Sequence, residues 1–358
     1  MNKIDKIFID GNFYRNLENF LNEKFQNSKF FILVDENTIK KCLPELIFNI
    51  PLLNNAEIIE IESGEENKTL ETCVQIWEFL SEMKADRNSI LINLGGGVIS
   101  DMGGFIACCF KRGIKFINIP TTLLAQVDAS IGGKLGVDIN NFKNIVGLFS
   151  FPEAVFINTE YLKTLPEKQL LSGFAEIIKY SLIDDDENLW QIVNSISLKN
   201  IIIDITRTEI IKKSIKIKNK IVSQDPKEKN LRKVLNFGHT IGHAFETFSL
   251  SHTKNHLLHG EAVAIGLICE SYLSNIFAGL NNDNLNKIVK LISSVYDNYK
   301  IDEKDFDILL DIMTNDKKNI DDNINFTLIS SIGKPIINQN IEKKYIIDSL
   351  KYYQNIIV

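Results

Sequence analysis

All five histidines of this 358-residue chain fall within 21 consecutive positions: His239, His243, His252, His256 and His259. Imidazole is the commonest metal ligand and the side chain whose ordinary pKa lies nearest neutrality. His239 and His243 are four apart, as are His252 and His256, and His256 and His259 are three apart. On a helix each spacing puts two rings on one face, where they can share a metal ion. Spacing alone does not select the ligands; the pair it favours by itself is His239 with His243. A third ligand is needed, and carboxylates are candidates.

The elements that must carry these groups read as helices. In QLLSGFAEIIKYSL (169–182), Leu170, Phe174, Ile177, Ile178 and Leu182 form one broad apolar arc at about 100° per residue. Glu176 faces the other way, near Lys179, with the small Ser172, Gly173 and Ala175 around it. A solvated Glu–Lys pair and a site residue are both open readings of that position. In TRTEIIKKSIKIKNKIV (206–222), Lys212, Lys213, Lys216 and Lys220 share a polar arc opposite Ile210, Ile211, Ile215, Ile217, Ile221 and Val222. Lys218 breaks the pattern and falls among Ile211, Ile215 and Val222. A charge there must snorkel or find an anionic partner, and a bound phosphate is one such partner. Arg232 leads into the histidine segment and suits bidentate contact with phosphate oxygens.

Upstream, short β-branched runs at 29–34, 56–61, 89–95 and 115–120 end in Asp, Gly or Pro, with a helical period at 69–83 between two of them. That alternation predicts a parallel sheet with helices on its faces. After Pro166, helical patterns dominate at 167–183, 206–224, 239–248 and 260–278. The expected organisation is an α/β Rossmann-like domain over 1–165 and a mainly α-helical domain over 166–358, with an Asn-, Lys- and Asp-rich tail of unassigned fold. SILINLGGGVISDMGGF (89–105) delivers a strand into Gly95-Gly96-Gly97 and then a helical stretch. Glycines there let a phosphate approach backbone N–H groups at a helix start. Ser100 stands where the third glycine of G-x-G-x-x-G belongs, so the fingerprint is partial. Gly132-Gly133-Lys134 is not a P-loop, since Asp128 and Leu135 occupy motif positions. PTTLLAQVDASIGGK (120–134) adds Thr121, Thr122, Asp128 and Ser130 just after a strand, where open α/β sheets bind ligands.

The net charge of -6 disfavours a general nucleic-acid binder. No uninterrupted apolar run reaches membrane-spanning length, and no secretory h-region is apparent. Cys42, Cys73, Cys108, Cys109 and Cys269 are odd in number and lack a Cys-x-x-Cys pair, which predicts reduced thiols and a cytoplasmic protein.

Taken in order, SGEENKT (63–69), GGGVISDMGGFIA (95–107), KRG (111–113), PTTLLAQVDASIGGK (120–134), KNIVG (143–147), GFAEIIK (173–179), LRKVLNFGHTIGHAFE (231–246) and HGEAVAIG (259–266) resemble the 3-dehydroquinate synthase family over nearly the whole chain. The resemblance implies a metal, zinc or its substitute cobalt, held by Glu176, His239 and His259. His243 would then be a proton-transfer or hydrogen-bonding neighbour instead of a ligand, and His252 and His256 would be loop residues. NAD+ would contact Asp35, Asn37, Ser63, Gly64, Glu65, Lys68, Gly96, Gly97, Val98, Ile99, Ser100, Asp101, Thr121, Thr122, Lys134, Lys143, Tyr161 and Thr164. Arg112, Asn144, Lys218 and Arg232 would bind substrate, and His243, Lys134, Asp128, Lys179 and Asn236 would be catalytic. Arg112 would reach a neighbouring subunit's site, which implies a homodimer. Leu135 and Pro226 depart from residues frequent in the family, and Ser100 stands at a position that is frequently Gly or Ser.

The implied reaction turns 3-deoxy-D-arabino-heptulosonate 7-phosphate into 3-dehydroquinate and phosphate. It runs through transient NAD-mediated oxidation, β-elimination of phosphate, re-reduction, ring opening and intramolecular aldol closure. Other sugar-phosphate cyclases, such as 2-deoxy-scyllo-inosose or valiolone synthases, share most of the pattern. Metal-dependent polyol and alcohol dehydrogenases share the glycine-rich turn and a downstream His-Gly-Glu, but their first ligand is usually aspartate and they need no phosphate cage. A degenerate binding paralogue would have shed site residues, and every expected one is present.

Overall fold

A computed structural model describes residues 6–139, 142–252, 256–314 and 324–356. The chain divides into two compact units, one running to Pro166 and including Thr206–Pro226, the other holding Glu167–Ile205 and the chain from Lys227 onward.

The first unit begins with β1 (Ile7–Ile9), α1 (Phe13–Phe25), β2 (Phe30–Asp35), α2 (Thr38–Lys41), α3 (Leu43–Asn49), β3 (Glu57–Ile61) and α4 (Leu70–Glu82). It continues with β4 (Ile90–Gly95), α5 (Gly97–Cys109), β5 (Lys115–Pro120), β6 (Lys134–Ile139), β7 (Phe142–Phe149) and β8 (Val155–Ile157). Six strands form one parallel sheet in the order β1-β8-β5-β4-β2-β3. Alternate residues feed two cores, as a period of two demands. Ile32, Val34, Ile92 and Phe156 face the side of α1 and α3, while Phe31, Leu33, Leu91 and Phe116 face the side of α4 and α5. Thr69 caps α4 by accepting from the Thr72 N–H. β6 and β7 make a separate antiparallel hairpin inside a stretch whose sequence reads as loop chemistry. Gly136 and Gly147 face each other there, and a Cβ on Gly147 would lie 2.4 Å from the Leu135 carbonyl oxygen. Leu135, one of the departures from the family pattern, is buried against Gly104 of α5, which gives its apolar side chain a reason.

The second unit opens with α6 (Glu167–Ile183), α7 (Asn188–Asn194) and α8 (Ile201–Ile205). The next helix, α9 (Thr208–Gln224), belongs to the first unit. A single boundary at 165/166 therefore misses one excursion of the chain. Two polar contacts fasten it: the Thr208 hydroxyl donates to Asp10 Oδ2 at 2.6 Å, and Lys218 Nζ pairs with Asp128 Oδ1 at 2.6 Å. The second unit resumes with α10 (His239–His252), α11 (His259–Phe277), α12 (Asn282–Val295) and α13 (Phe306–Thr314). It ends with an antiparallel pair, β9 (Ile324–Ser331) and β10 (Lys334–Ile341), and α14 (Lys343–Gln354). The tail left unassigned by composition thus contains a hairpin and a helix.

Candidate active site

Three helices of the second unit each present one polar group to a common point. Glu176 comes from the middle of α6, His239 from the first turn of α10 and His259 from the first turn of α11. Glu176 Oε1 lies 3.3 Å from His239 Nε2 and 3.6 Å from His259 Nε2. Close helix approach makes this possible, and glycines make close approach possible. A Cβ on Gly260 would sit 2.0 Å from the Ser172 carbonyl oxygen of α6, and one on Gly266 would sit 1.9 Å from the Gly238 carbonyl oxygen. The Gly260 N–H also donates to Ser172 Oγ at 3.0 Å, tying the start of α11 to the helix of Glu176.

The donor set fits a divalent cation. His239 Nδ1 lies 3.1 Å from the Phe237 carbonyl oxygen, which fixes the proton on Nδ1 and leaves a lone pair on Nε2. Burial first, and the Lys179 ammonium second, push the His239 pKa down to about 4, so this ring is neutral near pH 7. Its lone pair therefore faces a carboxylate oxygen, an arrangement that calls for a cation between them. His259 Nδ1 lies 3.4 Å from Glu246 Oε2, so a second carboxylate orients that ring from behind. Burial opposes a charge on His259, but Glu246 and Glu176 outweigh it and raise its pKa to about 10. A position that holds a proton this firmly favours positive charge. Burial also opposes the charged form of Glu176, yet the Lys179 ammonium holds its pKa well below the ordinary carboxylate range. The three donor atoms lie within 4.8 Å of one another.

Sequence periodicity left Glu176 and Lys179 open as a solvated pair. They do pair, but at 0% and 2% exposure, because α6 is buried on every face from Ser172 to Ile183. His243 is half-buried, with its ring centroid 5.1 Å from that of His239 and 5.9 Å from that of His259. It lies with Glu246 and His259 in a second group of close donors, apart from Glu176. His252 is not in a loop: it ends α10, stacked on Phe248 at 4.6 Å. His256 is exposed and outside any helix or strand. Asn236 Nδ2 donates to Glu228 Oε1 at 2.9 Å, and Arg232 is 1% exposed. Glu246 and Glu228 escaped the motif reading. Glu246, three residues after His243, had a helical-spacing signal; Glu228 had none.

In the first unit the residues expected to meet a nucleotide gather on turns after strands. The α5 N-terminus follows β4 directly, with Gly96 at its cap, no capping side chain, and no acid in its first turn. The N–H groups of Gly97, Val98 and Ile99 therefore lead a 13-residue helix, a setting that suits a phosphate. A Cβ on Gly96 would press on Thr122 at 3.1 Å. Lys68 is buried and donates to Asp101 Oδ2 and Asn144 Oδ1, both at 2.9 Å. Asn144 has a positive φ of 53° and donates its N–H to Asp138. Lys143 and Lys68 flank Glu65 at 3.7 and 3.5 Å. Ser63 bonds Glu36, Asp35 Oδ1 accepts the N–H groups of Asn37 and Thr38, and Gly64 has a φ of 116°. Thr121 is buried after β5, Lys134 is exposed at the start of β6, and Tyr161 and Thr164 follow β8, with Tyr161 buried. Asp128 lies on a π-turn at Ala125–Ala129. Asn93 of β4 donates to Asn118 of β5 at 2.9 Å, and Asn118 donates to the Ser130 carbonyl at 3.2 Å, a buried amide relay that fixes this turn. Lys218, the residue on the wrong helical face, reaches both Asp128 Oδ1 and the Asp128 carbonyl, at 2.6 and 2.7 Å. Its anionic partner here is a carboxylate. Arg112 is exposed, with a φ of 70° between Lys111 at 49° and Gly113 at 110°.

Comparison with known proteins identifies the family of the chain. Residues 58–172 match the 3-dehydroquinate synthase N-terminal family model, and residues 173–319 match its C-terminal counterpart. The chain is 43% identical over 353 residues to a 3-dehydroquinate synthase of Parabacteroides distasonis, covering 98% of both chains. It belongs to the 3-dehydroquinate synthase family. A second family member, from Clostridium tetani, is 39% identical over 97% of this chain and 91% of its own. Among solved structures, 2-deoxy-scyllo-inosose synthase complexed with carbaglucose-6-phosphate, NAD+ and Co2+ gives a TM-score of 0.84 at 25% identity, over 97% of this chain and 96% of that one. An NADH-dependent butanol dehydrogenase from Thermotoga maritima gives 0.68 at 13% identity, over 98% and 97%, a likeness of fold alone.

Proposed function

We propose that this chain converts 3-deoxy-D-arabino-heptulosonate 7-phosphate into 3-dehydroquinate and phosphate, with NAD+ and a divalent metal as cofactors. The observation that carries the reading is the meeting of Glu176, His239 and His259 in a chain 43% identical over nearly its whole length to a 3-dehydroquinate synthase. Glu176 Oε and the Nε2 atoms of His239 and His259 are the ligands, and zinc, with cobalt as its substitute, suits two imidazoles and a carboxylate. When bound, the metal supplies Lewis acidity towards substrate oxygens and NAD+ supplies a reversible hydride acceptor.

The protein's own groups do the rest. Glu246 holds the His259 ring by its Nδ1, so that its Nε2 keeps one direction. His243, close to both ligand rings yet reachable by solvent, holds or moves a proton at the substrate. Lys179 keeps Glu176 ionised. Lys218 reaches substrate phosphate as a charge already oriented by Asp128, and Arg232, Asn236, Asn144, Lys134 and Arg112 complete the anion- and hydroxyl-binding set. The α5 N-terminus with Thr121, Thr122, Lys143 and the turns at Asp35–Asn37 and Ser63–Lys68 forms the NAD+ site. Arg112, held out on a turn of positive φ, supports a homodimer in which it serves a second copy. Five free thiols, and the lack among the described residues of a helix long and apolar enough to cross a membrane, suit a cytoplasmic enzyme.

The test is direct. The purified protein with NAD+ and zinc releases phosphate from the heptulosonate phosphate with no net NADH, and chelation abolishes the release. Absence of release, with NAD+ and zinc both shown to be bound, overturns the reading. Accumulation of NADH with glycerol or butanol would favour a dehydrogenase instead.

A further inference from the structure

We propose that Glu270 is a positioning residue for His239, acting as the N-terminal cap of α10 from a neighbouring helix. The inference rests on His239 being a metal ligand, as argued above. Helix α10 starts at His239, and the preceding residue, Gly238, has no side chain with which to cap it. The first N–H groups of a helix otherwise lack partners. Glu270 of α11 supplies them: Oε2 accepts the Gly238 N–H at 2.6 Å, and Oε1 accepts the Ile241 N–H at 3.1 Å. These two bonds bracket His239 in the sequence and fix the backbone from which its ring projects.

Glu270 is fully buried. A carboxylate so placed must be hydrogen-bonded, and two backbone N–H groups at the positive end of a helix stabilise it as an anion. The close packing that lets it reach comes from Gly266, one helical turn earlier, where a Cβ would collide with the Gly238 carbonyl at 1.9 Å. Helix α11 therefore contributes to the donor set twice. It carries His259 on its first turn, and through Glu270 it sets the position of His239 on another helix. Ser274, one turn beyond Glu270, is a neighbour without that role: its hydroxyl donates to the Glu270 backbone carbonyl and accepts the Ile329 N–H.

The experiment uses the full chain, with zinc affinity measured by competition against a chromophoric chelator and ligand geometry read from the visible bands of bound Co2+. Glu270→Ala is expected to weaken zinc binding by about tenfold or more, the scale seen when support of a ligand is lost, and to alter the Co2+ bands. Glu270→Gln keeps one acceptor oxygen and falls between Glu270→Ala and the natural protein. Ser274→Ala lowers the melting temperature while leaving zinc affinity and the Co2+ bands unchanged, and NAD+ affinity stays constant throughout. If Glu270→Ala does not fold, Glu270→Gln alone decides. Natural zinc affinity and Co2+ bands in the folded Glu270 variants overturn the proposal, and so does equal zinc loss in Ser274→Ala. Failure of the natural protein to bind zinc would overturn the metal assignment itself, a distinct outcome.

Discussion

The two units use buried charge in opposite ways. In the first, buried cations meet acids of the same unit: Lys68, on a turn, meets Asp101, and Lys218, on α9, meets Asp128. In the second, one buried carboxylate, Glu176, faces one ammonium and the Nε2 atoms of two imidazoles. The first arrangement balances charge within the protein. The second gathers one carboxylate and two imidazoles at a single point, the proposed seat of a cation. Ligand dependence should therefore differ between the units, and mutation can separate them.

The largest expected effect comes from the ligands. His239→Ala and His259→Ala should each weaken zinc binding by more than the roughly 100-fold that loss of a supporting partner can cost, and abolish phosphate release. His243→Ala should keep zinc and lower kcat by about 10²–10⁴-fold, the usual worth of a general acid or base. Metal content and single-turnover rates measured on the same samples check this; equal zinc loss in all three variants would sink the ligand assignment.

Next comes the helix crossing. Gly266→Ala drives a methyl group into backbone, the Gly238 carbonyl at 1.9 Å, so neither side can yield by a rotamer change. It should cost about 3 kcal/mol or more, the upper range for overpacking, and displace His239. Urea unfolding without metal gives the stability term, and zinc titration gives the displacement. A variant with natural stability and zinc affinity would show that this crossing does not set the ligand geometry.

The ion pairs make the comparison sharper. Asp101→Asn leaves the Lys68 ammonium buried with a weaker partner set, and Lys179→Met leaves the Glu176 carboxylate buried without its cation. Each should cost about 3–5 kcal/mol, as breaking a buried pair does. Zinc should restore much of the loss in Lys179→Met, because it binds the stranded carboxylate, and none in Asp101→Asn. Equal response of the two variants to zinc would erase the proposed distinction.

The same contrast explains what could be read from sequence. The runs that became β2, β3, β4 and β5 were legible because a parallel sheet buried on both sides leaves continuous apolar segments ended by turn residues. Lys218 was legible as an anomaly because α9 has a wet face against which to judge it. Glu176 was not, because a helical wheel presumes one wet face and α6 has none beyond Leu171. The β6–β7 hairpin hid among glycines and lysines that also suit loops. The excursion of α9 into the first unit depends on Thr208–Asp10 and Lys218–Asp128, partners nearly 200 and exactly ninety positions apart in sequence, which no local pattern reveals. Glu246 and Glu270 act on histidines from other turns or other helices, so their roles appear only once α10 and α11 are packed.

The smallest expected effect tests the first unit alone. Gly97 opens α5, and a Cβ there would meet only Ala129 Cβ at 3.5 Å, an ordinary contact. Gly97→Ala should therefore change stability by less than about 1 kcal/mol, since alanine is the better helix former, in contrast to Gly266→Ala. A phosphate seated on the α5 N-terminus needs the backbone bare at that turn. NAD+ affinity should fall, while zinc affinity stays as it is, because all three proposed ligands lie in the other unit. Isothermal titration with each cofactor on one preparation gives both numbers. Loss of zinc without loss of NAD+ would place the nucleotide elsewhere and remove the division of labour on which the comparison rests.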